Sequence, residues 1–364
     1  MPIVVASLAF VVAVLCAGVM GYAIQRGATC TVAAVDELVT QGTSRRLLGL
    51  VEAAIWVAGG LVIAETLHVL PQMPVGYAAS GWTVIGGALL GLGAFVNGAC
   101  VFGAIARFGA GEWAYLLTPL GFYLGCLSVV PLFAEVAPVR LVQASPVLAA
   151  STWLVVPFLA FALWRIARAV RAALGSGEAH WHERVAMHVW SPHAATTVIG
   201  VNFVVLLLLV GGWAYTDVLA ELARGMAASV GARGVLALVL LAGAALGGWT
   251  AGRFRNRRIA APQLARCLVG GVLMGWGSLL LPGGNDGLIL VGMPLGWPYA
   301  WLAIATMCAT IAIAQLVGRR FARPLDDDVV RPKGRRALPI RPPDATKPSQ
   351  GGLRPEFGGC EGRI

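Results

Sequence analysis

Charge is what this sequence has least of. Of its 364 residues only 12% are Asp, Glu, Lys or Arg, against about 25% in a soluble domain. Hydrophobic residues make up 58%, more apolar surface than one soluble core can hide, so a bilayer must accept the rest. Histidine is scarce: His68, His180, His182, His188 and His193 are all there are. Four of them fall in HWHERVAMHVWSPH, where a solvated loop is the plainer reading and weak metal binding by His180 and His182 the other. The seven cysteines include no CxxC pair and no Cys/His group at zinc spacing. Nucleotide, heme and iron–sulphur motifs are missing as well. No metal site and no tightly bound cofactor are therefore expected, and no enzyme active site. Residues 1–20 are apolar but lack a basic leader and a small-residue cleavage site, so they read as a retained membrane helix.

The net charge of +10 does not point to nucleic acid. There is no compact basic domain. The arginines sit in short loops and in the tail, as the positive-inside rule distributes them. Nine stretches, roughly 3–24, 48–70, 81–105, 113–134, 147–169, 194–215, 232–252, 267–292 and 297–318, reach the ~20 apolar residues a span needs. The loops after the odd-numbered spans carry most of the arginines; the alternate loops hold only Arg140, Arg224 and Arg233. This predicts an all-α, multi-pass protein of the bacterial inner membrane, N-terminus outside and C-terminus cytoplasmic. Residues 1–318 form the transmembrane domain, and 319–364 a disordered basic cytoplasmic tail fit to touch membrane lipid.

Two segments align without gaps at an offset of 184 residues: GGALLGLGAFVNGACVFG from Gly86 and GGVLMGWGSLLLPGGNDG from Gly270. The shared GGxLxGxG order argues for an internal repeat, with halves about 1–135 and 195–318 joined by a span and basic loop over 136–194. Repeats of this kind are typical of carriers, whose sites lie at interrupted helices. Asn97-Gly98-Ala99-Cys100 interrupts one span and Pro282 to Gly287 its counterpart, which predicts short re-entrant half-helices. Polar groups at membrane depth are costly unless they line a cavity or find partners. Asn97, Gly98, Gly284, Asn285 and Asp286 are therefore candidate site residues. Packing with a polar cap is the competing reading, and it is strongest for the glycines. Cys16, Cys126, Cys267 and Cys308 read as buried small hydrophobes. Cys30, just past the first span, and Cys100, among glycines, are placed where a thiol can meet a soft, polarisable solute.

GYAIQRGATC and NGACVFGAIARFGAGEW resemble the two N-terminal signatures of the YeeE/YedE sulphur-transport family. The resemblance runs from about residue 10 to 318. It implies nine membrane helices, short half-helices, and a small sulphur-containing anion as cargo, thiosulfate first. Three cysteines along a narrow path are thought to pass that ion by S–H hydrogen bonds. Cys30 and Cys100 match the first two. Where the third belongs the sequence reads LLPGGNDG, with Gly284 opposite Cys100, so the chain resembles a branch in which PGGND replaces the cysteine. Gln25 and Arg26 then become possible exit-side residues. Two other functions stay open. One is transport of another soft sulphur or selenium compound. The other is a membrane thiol enzyme relaying sulphane sulphur to a cytoplasmic acceptor protein, for which Cys30 and Cys360 give the footing.

Overall fold

The computed structural model describes residues 7–133, 138–174, 190–255 and 260–322. The basic tail beyond 322, Cys360, and the loop with His180, His182 and His188 lie outside them. Among the described residues all extended regular structure is helical, and nine helical stretches are long and apolar enough to cross a membrane. The chain is an all-α multi-pass membrane protein.

Two sets of six helices follow one another around a single extra span, with a 3-10 turn at Trp113–Leu116 and a short helical turn at Pro146–Ala149 besides. The first set is α1 (Leu8–Arg26), α2 (Thr31–Gln41), α3 (Arg45–Thr66), α4 (Gly81–Asn97), α5 (Val101–Gly109) and α6 (Leu117–Phe133). The extra span is α7 (Ser151–Leu174). The second set is α8 (Pro192–Val210), α9 (Tyr215–Ala223), α10 (Ala227–Thr250), α11 (Ala261–Leu280), α12 (Asn285–Gly287, continued as a π-turn over Leu288–Gly292) and α13 (Pro298–Ala322). The 184-residue offset reappears in these boundaries: α1 and α8 begin at 8 and 192, α2 and α9 at 31 and 215, α5 and α12 at 101 and 285.

Local chemistry explains where the helices stop. The third expected span, 81–105, is two helices. Gly98 takes a left-handed conformation at φ 75° and ends α4, as a C-terminal glycine commonly does. The eighth, 267–292, is also two. Pro282 has no N–H to continue α11, and Gly283 sits at φ 126°. The chain then restarts at Asn285.

The repeated glycines form the seam between the two sets. A Cβ on Gly86 would lie 2.9 Å from the carbonyl oxygen of Gly277, and one on Gly93 2.7 Å from that of Gly270. The relation is reciprocal, with Gly270 against Gly93 and Gly277 against Gly86. Two neighbouring glycines in each helix face elsewhere: Gly87 and Gly91 pack on α13, Gly271 and Gly275 on α6. Without side chains these backbones come into direct contact, which is how membrane helices associate when apolar burial supplies no drive.

Candidate functional site

Four short helices, α2, α5, α9 and α12, begin inside the helix bundle, and their N-termini carry the polar residues. A helix N-terminus presents N–H groups with no intrahelical partner and the positive end of its dipole. Cys30 is the N-cap of α2 and Cys100 the N-cap of α5. The two caps cross. The backbone N–H of Thr31, first in α2, donates to the Cys100 sulphur at 3.1 Å. The Cys30 sulphur lies over Gly103, where a Cβ would stand 2.4 Å from it. Gly103 is therefore what lets Cys30 approach α5. Cys100 is wholly buried and Cys30 partly so, and the two thiols are near enough to interact directly.

The second set has no thiols at the matching places. Ala214 caps α9 and Gly284 caps α12. The helices are tied by a carboxylate instead. Asp286 accepts from the backbone N–H of Thr216 at 3.0 Å and from the Thr216 hydroxyl. Thr216 is the second residue of α9, so Asp286 caps that helix from across the interface. Thr216 also fills the space at Gly284: a Cβ there would meet the Thr216 hydroxyl at 2.3 Å. The position at which the resemblance puts a third thiol is thus occupied by a threonine, and Gly284→Cys alone would collide with it.

A cavity of about 420 Å³ reaches this second pair. Thr216, Asp217, Glu221, Arg140, Arg224 and Tyr299 are among the residues that line it, together with Gly283 and Gly284. Asp217 lies between the spans, and burial, then the neighbouring charge of Asp286, pushes its carboxyl up to about 7. Thr216 also lines a small gap of about 20 Å³ against Val101, Ile105 and Phe122. It stands as the partition between the cavity and α5.

Each expected site residue can now be located. Asn97 spends its side chain on its own turn, donating to the carbonyl of Ala99 at 2.7 Å and accepting from the Thr118 hydroxyl at 2.9 Å. Tyr115 donates to its backbone carbonyl at 3.3 Å. Gly98 lies in the same turn, whose preceding carbonyl, that of Val96, accepts from Arg266 at 3.1 Å. Asn285 is different. It is completely buried, and neither its amide oxygen nor its nitrogen has a hydrogen-bond partner. Gln25 is buried with an unpartnered side-chain oxygen, wedged between Gly109 and Gly247. Arg26 is 1% exposed, donating to Tyr22 at 2.8 Å and Thr250 at 2.9 Å.

Sequence reasoning missed Thr31 and Thr216. The Thr31 hydroxyl is buried without a partner, on the residue that follows Cys30 and whose N–H binds Cys100. An available signal was the repeat itself, since the same offset from Cys30 leads to Ala214 and so to the start of α9.

The family model described as sulphur transport matches residues 26–313, most of the chain, from the last residue of α1 into α13. The chain belongs to that family. It is a multi-pass sulphur-related membrane transporter. No curated protein matches it significantly. For this family member the structure adds one testable point about the second pair. Asp286→Ala leaves the buried Thr216 N–H and hydroxyl unpaired, which should cost about 2–3 kcal/mol. Thermal unfolding in detergent should drop by several degrees, and Thr216→Val, which keeps the N–H bond, should drop by about half as much. Equal melting of all three proteins would show that the tie contributes nothing.

Proposed function

We propose that the protein carries a small sulphur-containing anion, with thiosulfate the first candidate, across the bacterial inner membrane into the cell. The observation that carries this reading is the presence of buried polar atoms without partners at the starts of two half-helices, Thr31 in α2 and Asn285 in α12. A buried polar group without a partner costs about 1–3 kcal/mol, so the Thr31 hydroxyl and the Asn285 amide are best explained as ligand contacts. Cys100 and Cys30 donate S–H bonds to the anion, and the N-termini of α2 and α5 offset its charge. Backbone groups at Gly98 and Gly284 add to this. Asn97 acts by fixing the turn that aims Cys100, and Gln25 and Arg26 stand on the exit side. Asp286 holds the entrance pair together.

The two helix sets read as an inverted repeat, because the single span α7 between them reverses the crossing sense of the second. Basic loops then face the cytoplasm. A second reading, transport of another soft sulphur or selenium compound, is favoured by the oxygen network of Thr216 and Asp286 where a third thiol is expected.

The test uses cells without other sulphate and thiosulfate importers, grown on thiosulfate as sole sulphur source. Growth that depends on this protein is the expected result. Failure to grow, with the protein present in the membrane, removes thiosulfate as cargo. Competition by unlabelled sulphur and selenium compounds would then identify the solute.

A further inference from the structure

Away from the thiols, α3, α7 and α8 enclose a second polar site. Glu52 of α3 is buried at 7% exposure. It accepts from Arg165 of α7 at 2.6 Å and pairs with Nδ1 of His193 of α8 at 2.5 Å. Thr197 and Trp56 donate to the same carboxylate at 3.3 and 3.4 Å. Beside this cluster lies a cavity of about 520 Å³ lined by Trp56, Arg165, Ile166, Arg168, Ser191 and His193 among others.

The charges around that cavity do not balance. Among the described residues Glu52 is the only acid in the cluster, and Arg165 and His193 already use both its oxygens. Arg165 keeps a buried Nε–H without an acceptor. Arg168 makes no ion pair among the described residues and only stacks on Trp164, 5.1 Å from the ring centre. The Nδ1 contact of His193 leaves its Nε2 for another partner. These groups together can hold an anion. Its remaining wall is apolar, through Ile166, Ala169, Ala194 and Trp56. Ile166, Leu163 and Trp164 of the same helix are exposed, at 55%, 66% and 52%, in a chain whose exposed apolar helix surface faces lipid. An anionic group joined to an apolar body is what such a notch accepts.

The place in the fold gives this occupant a role. No residue of α7 from 152 to 171 is buried. The helix leans chiefly on α3, through the ring of Phe158 set against Gly59 and through the Arg165–Glu52 pair. We propose that the cavity is a binding site for the headgroup of an anionic phospholipid, whose phosphate bridges α7 and α8. Arg165, Arg168 and His193 hold the phosphate. The acyl chains run along Ile166 and Leu163. Basic pockets between membrane helices commonly bind such headgroups, at about 1 kcal/mol per positive side chain.

The experiment uses the full chain purified in detergent, titrated with phosphatidylglycerol, phosphatidylcholine or inorganic phosphate. Binding is read by native mass spectrometry and by thermal unfolding. Phosphatidylglycerol should bind and stabilise, R168Q should weaken that binding roughly fivefold, and R168K should keep it. Arg168 makes no ion pair among the described residues, so R168Q leaves the Glu52 cluster in place. Equal binding of phosphatidylcholine, or an R168Q protein that binds phosphatidylglycerol as the parent does, would overturn the proposal. Displacement of the lipid by millimolar inorganic phosphate would overturn it too, and would assign a soluble-anion site.

Discussion

Cys100→Ala abolishes sulphur-anion uptake, while the protein still reaches the membrane and elutes as a folded particle. The expected loss of rate is roughly a hundredfold or more, the scale on which removing one positioned donor acts in a preorganised site. Cys100 is the centre of the crossed caps. Its sulphur accepts from Thr31, so it sets the position of α2 as well as offering its own S–H. Alanine is close to cysteine in size, and the cavity it leaves is small, so the fold survives. Cys30→Ala should be milder, because Cys30 is only partly buried. Labelled thiosulfate uptake into vesicles measures both variants. A Cys100→Ala protein with parental flux would remove the thiols from the mechanism and leave the helix N-termini to carry it alone.

Gly271→Val should destabilise the fold strongly. A Cβ at this position would stand 2.4 Å from the carbonyl oxygen of Thr118 and 2.9 Å from the Phe122 nitrogen. Those are backbone atoms of α6 and cannot swing away as a side chain would. Overpacking in a tight core costs about 1–3 kcal/mol and sometimes more, against a total stability of about 5–15 kcal/mol. Here the clash also separates α6 from α11, whose opposite face forms the seam with α4. Fluorescence-detected size-exclusion of a tagged protein should show aggregate or no protein. Gly81→Ala is the control, since nothing lies within 4 Å of a Cβ there. A monodisperse Gly271→Val protein would mean that these helices are held apart more loosely than the contact implies.

These two predictions rest on different amounts of sequence information. Gly271 belongs to the GGxLxGxG repeat, so its importance is visible from alignment of the chain with itself. That Gly270 and Gly277 meet Gly93 and Gly86 is not visible, because a shared pattern does not say whether its copies touch. Cys100 was a candidate from its place in an interrupted span. Its pairing with Cys30, seventy positions away, depends on α2 turning back into the bundle. TVAAVDELVTQ is too short and too polar to read as part of a span, since it carries Asp36 and Glu37. Its counterpart α9 escaped for the same reason, and Thr216 and Asp217 with it. In sequence Asp286 is only a polar residue at membrane depth. In the fold it is a cap on another helix, a role that requires α9 to be beside it.

The sequence by itself determined the class of molecule, the number of spans and the presence of two matched glycine motifs. These are properties of one segment at a time, set by hydropathy over about 20 residues and by the backbone freedom of Gly98 and Gly283. Charge, the thing the chain has least of, was enough to suggest an orientation. The tertiary structure alone decided which polar atoms meet: Cys100 with Thr31, Asp286 with Thr216, and Asn285 and the Thr31 hydroxyl with no partner. The physical reason is that short helices have little stability of their own in isolation. Where they start, and what their free N–H groups face, is set by the long helices packed around them.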